Sequence, residues 1–522
     1  MFKKIFMLFK IGRKLSTSGA ISSIYEIYNP PFIIKFFFLI IGFNFSDKKS
    51  TNSSSSGEKL CNALEKMGTT FIKLGQFLAT RPDIIGDKLA SDLEKLQDKL
   101  PSFDTHIVKN ILINELGHEN FSQIKNLSDP VAAASIAQVH FANIEVDNKK
   151  VEVAIKILRP NIEKIFNEEL DALMLLAYIV QNLIRKTKRL KLLEIVQLLR
   201  EITNIEMDLR FEAAAANEFF ENTKNDLGFI VPKIYWNYTS KKILCLSKVN
   251  GVSIREVDKL KSFKINTNKL ARDIIQNFLK HAIRDGFFHG DMHQGNIFVN
   301  ENGDIIPVDF GIMGRLDKNN KKYLAEILYG FIKRDYKKVA EVHFLAGLVP
   351  QNTSKDDFAQ ALRSIGEPIF GQSVKNISGS KLLSQLFNVT EKFNMQTQIQ
   401  LLLLQKTMVV VEGVARKLDP NTNIWEISRP VLENWLKKMK DPINIAGDAV
   451  SNASEVLKRL PNLPIIMDRA NDVMTLITEG KFNPNTMAYQ SLKNEELKLE
   501  IMRNKILGVV LVLVIFAFIV FK

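Results

Sequence analysis

Three polar residues, Asp291, Asn296 and Asp309, lie in two short stretches, HGDMHQGN (289–296) and VDFG (308–311). Two carboxylates and an amide in that order suit phosphoryl transfer. Asp291 is placed to accept the proton of an attacking hydroxyl. Asp309 and the amide oxygen of Asn296 are expected to hold Mg2+ against phosphate groups, because a hard cation prefers oxygen ligands. His289 and His293 stand at i,i+4 and could suggest a metal pair. The stretch lacks the glutamate of an H-E-x-x-H zinc site, so the histidines are expected to order the loop.

The sequence H-x-D-x-x-x-x-N followed by D-F-G, across a short hairpin, has the order and spacing of protein kinases. A lone DFG carries no weight, but the two stretches at this separation argue against chance. Upstream, VAIK (153–156) supplies Lys156, the strand lysine that pairs with nucleotide phosphates. Before it, Val131, Ala132, Ala133, Ala134, Ser135, Ile136, Ala137, Gln138 and Val139 fit the template of a nucleotide-covering loop. Ala132, Ala134 and Ala137 stand where that template has glycine. A Cβ restricts both positive φ and close backbone approach to phosphate, so a stiffer loop is expected. Lys156 also needs a carboxylate to orient it, and EMDLRFEAAAAN (206–217) offers Glu206, Asp208 and Glu212. Glu206 and Glu212 are six apart and fall on different faces of one helix. Glu212 is the expected partner.

The elements that must position these residues follow from periodicity. The pattern is helical from Leu60 to about Leu127, then alternates over 131–146 and 151–158, two strands across the turn Asp147–Lys150. Residues 161–222 are helical. KIYWNY and KKILCLSKV read as a hairpin around Thr239-Ser240, and Leu270–Asp285 as a helix. GNIFVNENGDIIPVDFG turns at Asn302-Gly303, and helix dominates after Asp317. The fold class is therefore α+β, with two lobes and a cleft between them. The boundaries read as a basic, apolar segment and linker (1–57), a helical extension (58–128), a strand-rich lobe (129–250) and a helical lobe (251–440). A helical linker (441–505) and a membrane helix (506–521) complete the chain.

Composition excludes several classes. The chain has 522 residues, 46% hydrophobic and 25% charged, with 25 Gly and 16 Pro, too few for a collagenous or largely disordered protein. Cys61 and Cys245 are its two cysteines, which rules out a disulfide scaffold or a Cys-rich metal site. The net charge of +14 attracts anionic partners. No Lys/Arg stripe interleaved with aromatics and no zinc-finger spacing is present, so nucleic acid is not expected as a partner. Phe2, Ile5, Phe6 and Phe9 recur at helical spacing among Lys3, Lys4, Lys10 and Arg13, as in a basic helix lying in a membrane interface. No acidic residue precedes Glu26, which leaves a mitochondrial presequence open. The run 31–45 is equally readable as a core helix or a membrane contact, and the Ser-rich 46–59 as a linker. Ile506–Phe521 is uncharged and reaches ~24 Å as a helix against a hydrocarbon core of about 30 Å. Snorkelling by Arg503, Lys505 and Lys522 would close that gap, with the preceding chain on the cytoplasmic side.

The whole set resembles the UbiB family of atypical kinase-like proteins, bacterial relatives of the mitochondrial ADCK proteins. The carriers are FIKLGQFLATRPDIIG (71–86) with its KxGQ motif, LQDKLPSF (96–103), AAASIAQVH (132–140), VAIK, the ExD of Glu206 and Asp208, HGDMHQGN, VDFG and LLLLQKTMVVVEGVARKLDP (401–420). The resemblance covers about 58–440. It implies a bilobal protein-kinase-like fold with an N-terminal helical extension and a C-terminal membrane helix. It further implies ATP and Mg2+ as ligands, the cytoplasmic face of a bacterial inner membrane as location, and support of ubiquinone biosynthesis as function. Membrane lipid, isoprenoid quinone intermediates and the ubiquinone biosynthetic enzymes are the implied partners. By resemblance, Lys73 and Gln76 are gate residues held by Glu206 and Asp208. Family members of this type often end in two apolar spans, whereas one is present here, which leaves a homodimer through paired tail helices open. No APE segment follows DFG, so peptide docking is not expected. The alternatives are phosphoryl transfer or ATP hydrolysis, and a membrane scaffold switched by ATP. Ring hydroxylation lacks both a G-x-G-x-x-G after a strand and an iron-type triad.

Overall fold

The computed structural model describes residues 56–79, 100–183, 191–370 and 399–439 continuously, with positions between 7–14, 85–96 and 389–395. The run 31–45, residues 46–55 of the predicted linker and the predicted 506–521 span lie outside the described residues. Among the described residues no helix is long and apolar enough to cross a membrane. The chain divides into two compact units, Met1–Leu436 and Lys437–Lys522. Described residues of the second end at Met439.

The first unit opens on helices α1 (Ser56–Met67), α2 (Thr69–Ala79) and α3 (Asp87–Leu93). Residues 56–59 thus belong to a helix rather than to the linker. Gly75 of the KxGQ stretch allows a close crossing, since a Cβ there would fall 2.3 Å from Leu96 Cδ1 and 2.9 Å from Leu64 Cδ1. Phe2, Ile5, Phe6 and Phe9, which carry the interfacial-helix expectation, lie outside the described residues. Ile11 is buried in the main core, and Lys14 Nζ donates to Met67 O and to Glu169 Oε1, both at 3.2 Å.

Helix α4 (Thr105–Gln123) starts at Asp104, whose carboxylate accepts from His106 N, and breaks at Gly117, where φ is 78°. Its Val108 and Leu112 pack with Ile144, Ile155 and Cys245 in a small second core. The sheet itself is antiparallel, in the order β1 (Pro130–Ala133), β2 (Ala137–Val146), β3 (Lys149–Leu158) and β4 (Ile243–Ser247). The single strand expected over 131–146 is two strands folded back at Ala134–Ile136, and Ala134 N donates to Ala137 O at 2.8 Å. Ser135 is the one turn-favouring residue at the fold-back, too weak a signal inside an apolar run to break the strand pattern. Asp147 and Asn148 both take positive φ between β2 and β3, a tight-turn conformation that Asp and Asn tolerate. The second expected hairpin is reduced to a 3-10 turn (Trp236–Tyr238) and one bridge, Ile234 to Leu246, beside β4.

Between β3 and β4 run α5 (Ile162–Leu183), α6 (Leu192–Glu206) and α7 (Leu209–Thr223). Ala213, Ala216 and Phe219 form the buried stripe of α7. The second half begins with β5 (Val252–Ser253), α8 (Val257–Ser262) and α9 (Thr267–Lys280), which ends in a π turn over His281–Asp285. Two small antiparallel ladders follow. β6 (Phe287–His289) pairs with β9 (Met313–Arg315), and β7 (Ile297–Val299) lies between β5 and β8 (Ile305–Pro307). Gly303 turns β7 into β8 at φ 85°. Helices α10 (Lys318–Lys333), α11 (Tyr336–Leu345), α12 (Lys355–Phe370), α13 (Ile399–Leu418) and α14 (Ile424–Met439) complete the described chain. Asp317 caps α10, so helix begins two residues after β9.

Candidate active site

Lys156 stands on β3 between Val139 of β2 and Leu244 of β4. Its Nζ lies 2.9 and 3.0 Å from the two Glu212 carboxylate oxygens and 3.4 Å from Asp309 Oδ1. Glu212 reaches it from the first turn of α7, whose buried alanines hold the helix against the sheet. Burial opposes the charge on Lys156, but Asp309 and Glu212 together outweigh it and raise its pKa. Burial pushes the Glu212 carboxyl up, against the pull of Lys156. Of the three candidate carboxylates, Glu212 is the one on Lys156.

The loop 289–296 is held by its own side chains. His289 Nδ1 accepts from Asp291 N at 3.1 Å, so Nε2 carries the proton and donates to Val308 O at 3.2 Å. Burial holds this ring below the usual histidine range. Asn296 Nδ2 donates to Asp291 O at 3.1 Å and to Asp291 Oδ2 at 3.3 Å. That orientation commits the amide nitrogen and leaves Oδ1 as the atom suited to a cation. His293 lies 3.6 Å from Asp291 Oδ2, and its Nδ1 accepts from Gly295 N, so both histidines order the loop. Asp309 takes φ 62°, a left-handed conformation that Asp visits more readily than most residues. Its side chain is 52% exposed into the cleft, and Lys156, with Lys73 assisting, holds its pKa down at about 2.

A carboxylate ionised across the physiological range and an amide oxygen are the donors Mg2+ takes, with phosphate oxygens and water completing its shell. Among the described residues no group of three or more His, Cys, Asp or Glu could hold a metal ion. The residues fit the group.

Lys73 of α2 ion-pairs with Glu206 at 2.9 Å, and its charge reaches Asp309. Gln76, one turn on in α2, is half-buried. Asp208 is placed otherwise than expected. It is the N-cap of α7, accepts from Arg210 N at 3.1 Å, and pairs with the Arg210 guanidinium at 2.6 Å. The Arg210 hydrogen bonds hold its pKa below the usual range. An aspartate one residue before a helix is as much a cap as a gate, and the guanidinium two residues on captures it.

The alanine loop is anchored by residues that pattern missed. Ala132, Ala134 and Ala137 all keep negative φ, so the backbone does not demand glycine at any of them. Ser135, Ile136, Ala137 and Gln138 are buried, while Val131 and Ala132 are exposed and Ala133, Ala134 and Val139 half-buried. The Gln138 side chain is spent on Phe103, accepting from its N at 2.9 Å and donating to its O at 3.2 Å. Arg159 donates to Ala134 O at 2.8 Å, to Pro101 O at 2.9 Å and to Leu100 O at 3.3 Å, so segment 100–103 and the loop are tied together. One hint was in the sequence: an arginine directly after a buried strand has a guanidinium that must find acceptors.

A β3 lysine paired to a helix carboxylate, with a loop aspartate, an amide and a DFG aspartate, is the residue set of a kinase-like site. Sequence comparison agrees, with the ABC1 atypical kinase-like domain matching residues 95–343 and the UbiB helical domain matching 362–423. A probable protein kinase UbiB of Marinobacter nauticus is 35% identical over 473 residues, covering 89% of this chain and 85% of its own. The Histophilus somni protein of the same name is 38% identical over 397 residues, covering 75% and 73%. The chain belongs to the UbiB family of atypical kinases. The erythromycin complex of Rv3197 from Mycobacterium tuberculosis aligns at 23% identity over 68% of this chain and 90% of its own. Its TM-score of 0.47 is too low to carry an argument.

Proposed function

We propose that this UbiB-family protein binds ATP with Mg2+ in the cleft and moves the terminal phosphoryl group, to water or to a small isoprenoid-linked acceptor, in support of ubiquinone biosynthesis. The convergence of Lys156, Glu212 and Asp309, beside a loop that orients Asp291 through Asn296, carries the reading. Lys156 binds the nucleotide phosphates, and Glu212 fixes its ammonium. Asn296 Oδ1 and Asp309 would hold Mg2+, which would supply charge neutralisation at the phosphates. Asp291 takes the proton from the acceptor hydroxyl as its oxygen bonds to the terminal phosphorus. The bond to the bridging oxygen breaks, and ADP leaves with that electron pair. The apolar 506–521 segment and the basic residues before it favour work at the cytoplasmic face of a bacterial inner membrane, among lipid, isoprenoid quinone intermediates and partner enzymes.

One observation favours a second reading, in which ATP switches a membrane scaffold without phosphoryl transfer. The Lys73–Glu206 pair brings the Lys73 charge to bear on Asp309, the carboxylate assigned above to the metal. Mg2+-dependent ATP hydrolysis by the full chain, with and without anionic-lipid vesicles, distinguishes the two. Turnover that rises with vesicles and collapses in Asp291→Asn is the expected result. Nucleotide binding without turnover under both conditions would leave the scaffold.

A further inference from the structure

In the protein-kinase pattern H-R-D the middle residue is arginine, and here it is Gly290. Its backbone is gripped from two sides. Gly290 N donates to Ile312 O at 2.9 Å, on the stretch leading from DFG into β9. Gly290 O accepts from Thr407 Oγ1 at 2.9 Å, its one hydrogen-bond partner among the described residues. A Cβ at 290 would stand 2.9 Å from Ile312 Cγ2 and 3.1 Å from Leu403 Cδ2, so the loop runs between Ile312 and α13 with no room for a side chain. Leu403 and Thr407 are one turn apart on α13 and therefore share the face that meets the loop. Thr407 is 1% exposed, a hydroxyl set into the apolar run LLLLQKTMVVV. A buried threonine in a helix can satisfy itself by bonding back to its own turn, and Leu403 O does lie 2.8 Å from Oγ1. The hydroxyl has a single proton, however, and Gly290 O is the acceptor that would otherwise be buried without a donor.

We propose that Thr407, in the stretch matching the UbiB helical domain, is a positioning residue for phosphoryl transfer. It fixes the Gly290 carbonyl and through it the angle at which the next residue, Asp291, meets the acceptor. The role rests on the catalytic reading above. The helical domain would thereby support the loop from beneath, in a chain where no APE segment follows DFG.

The test uses the full-length protein as Thr407→Val, which keeps shape and removes the hydroxyl, beside Thr407→Ser, which keeps the hydroxyl. The expected result for Thr407→Val is a kcat lower by about tenfold with KM for ATP within about twofold. Amide exchange across 289–293 should be faster than wild type, and Thr407→Ser should restore both. Unchanged kcat and unchanged exchange in Thr407→Val would overturn the proposal. So would a joint collapse of kcat, KM and melting temperature that serine does not rescue, since that is a packing defect. If wild type itself binds Mg·ATP without turnover, the catalytic reading fails instead, and exchange across 289–293 alone decides whether Thr407 fixes the loop.

Discussion

Helix α7 carries an ionic cluster at each end, and the two are built differently. At its N-terminal end Glu212 meets Lys156, and Asp309 stands half-exposed at 3.4 Å with a left-handed backbone. Just beyond its C-terminal end, Asp226 is 3% exposed and takes Lys280 at 2.5 Å, His281 Nε2 at 3.0 Å and Arg284 at 2.7 Å. Burial opposes charge on Asp226, but the hydrogen bonds from His281, Arg284 and Lys280 hold its pKa far below the usual range. Phe219 stacks edge-on against His281 and Phe287 and touches Phe310 of DFG, and Glu218 pairs with Arg315 of β9. The Asp226 end is closed and saturated. The other keeps an ionised carboxylate open to the cleft, where a metal and phosphates can compete for it. Protein kinases control the lysine–glutamate pair by moving this helix. Here its far end is pinned to the half of the chain that bears Asp291.

The contrast predicts that the two clusters fail in different currencies. Asp309→Asn should lower Mg2+-dependent turnover by about a thousandfold, about 4 kcal/mol of transition-state stabilisation, while the melting temperature falls less than in Asp226→Asn because Asp309 is half-exposed. Comparable losses of stability and turnover would break the contrast. Asp226→Asn should do the reverse. Taking the charge off the carboxylate that gathers Lys280, Arg284 and the buried His281 should cost about 2–3 kcal/mol in denaturant unfolding, with ATP affinity of the folded fraction within about twofold.

Acid should separate the clusters further. Burial lowers the pKa of His281, His289 and His343, so the unfolded chain binds protons first and stability should begin to fall below about pH 6.5. Asp309 sits at about 2 against an ordinary 3.8, and Asp226 lies lower still. A depressed carboxylate contributes stability above its unfolded pKa and loses it as pH falls, here from about 4 through 2. In that window Asp226→Asn should lose stability less steeply than wild type, by about one proton in unfolding monitored against pH. The smallest expected effect belongs to Arg159→Gln. Loosening the alanine loop from segment 100–103 should weaken Mg·ATP binding by roughly threefold in titration calorimetry.

Much of the cleft was legible because kinase-like chemistry is written locally. HGDMHQGN, VDFG and VAIK each lie on one loop or strand, whereas Glu212 was chosen on the expectation that it shares one helix with Glu206, and in fact Glu206 ends α6 while Glu212 lies in the first turn of α7. The cap role of Asp208 and its pairing with Arg210 were not legible, because a cap and a gate share one residue type. The fold-back at Ala134–Ile136 had Ser135 as its one turn-favouring residue, and its support comes from Arg159 and Gln138 reaching residues 100–103. The Asp226 cluster gathers side chains more than fifty positions apart, so only the tertiary fold brings them together. Thr407 is hidden for the same reason, since nothing local tells a threonine in an apolar helix that a glycine carbonyl waits opposite.

The central claim is that the open cluster is a site for ATP and Mg2+ through Asp309. Titration calorimetry of ATP into wild type and Asp309→Asn, each with and without Mg2+, tests it most directly. The account predicts that Mg2+ strengthens ATP binding to wild type and that this dependence disappears in Asp309→Asn. Equal affinity in all four titrations, or a Mg2+ dependence untouched by the substitution, would contradict it.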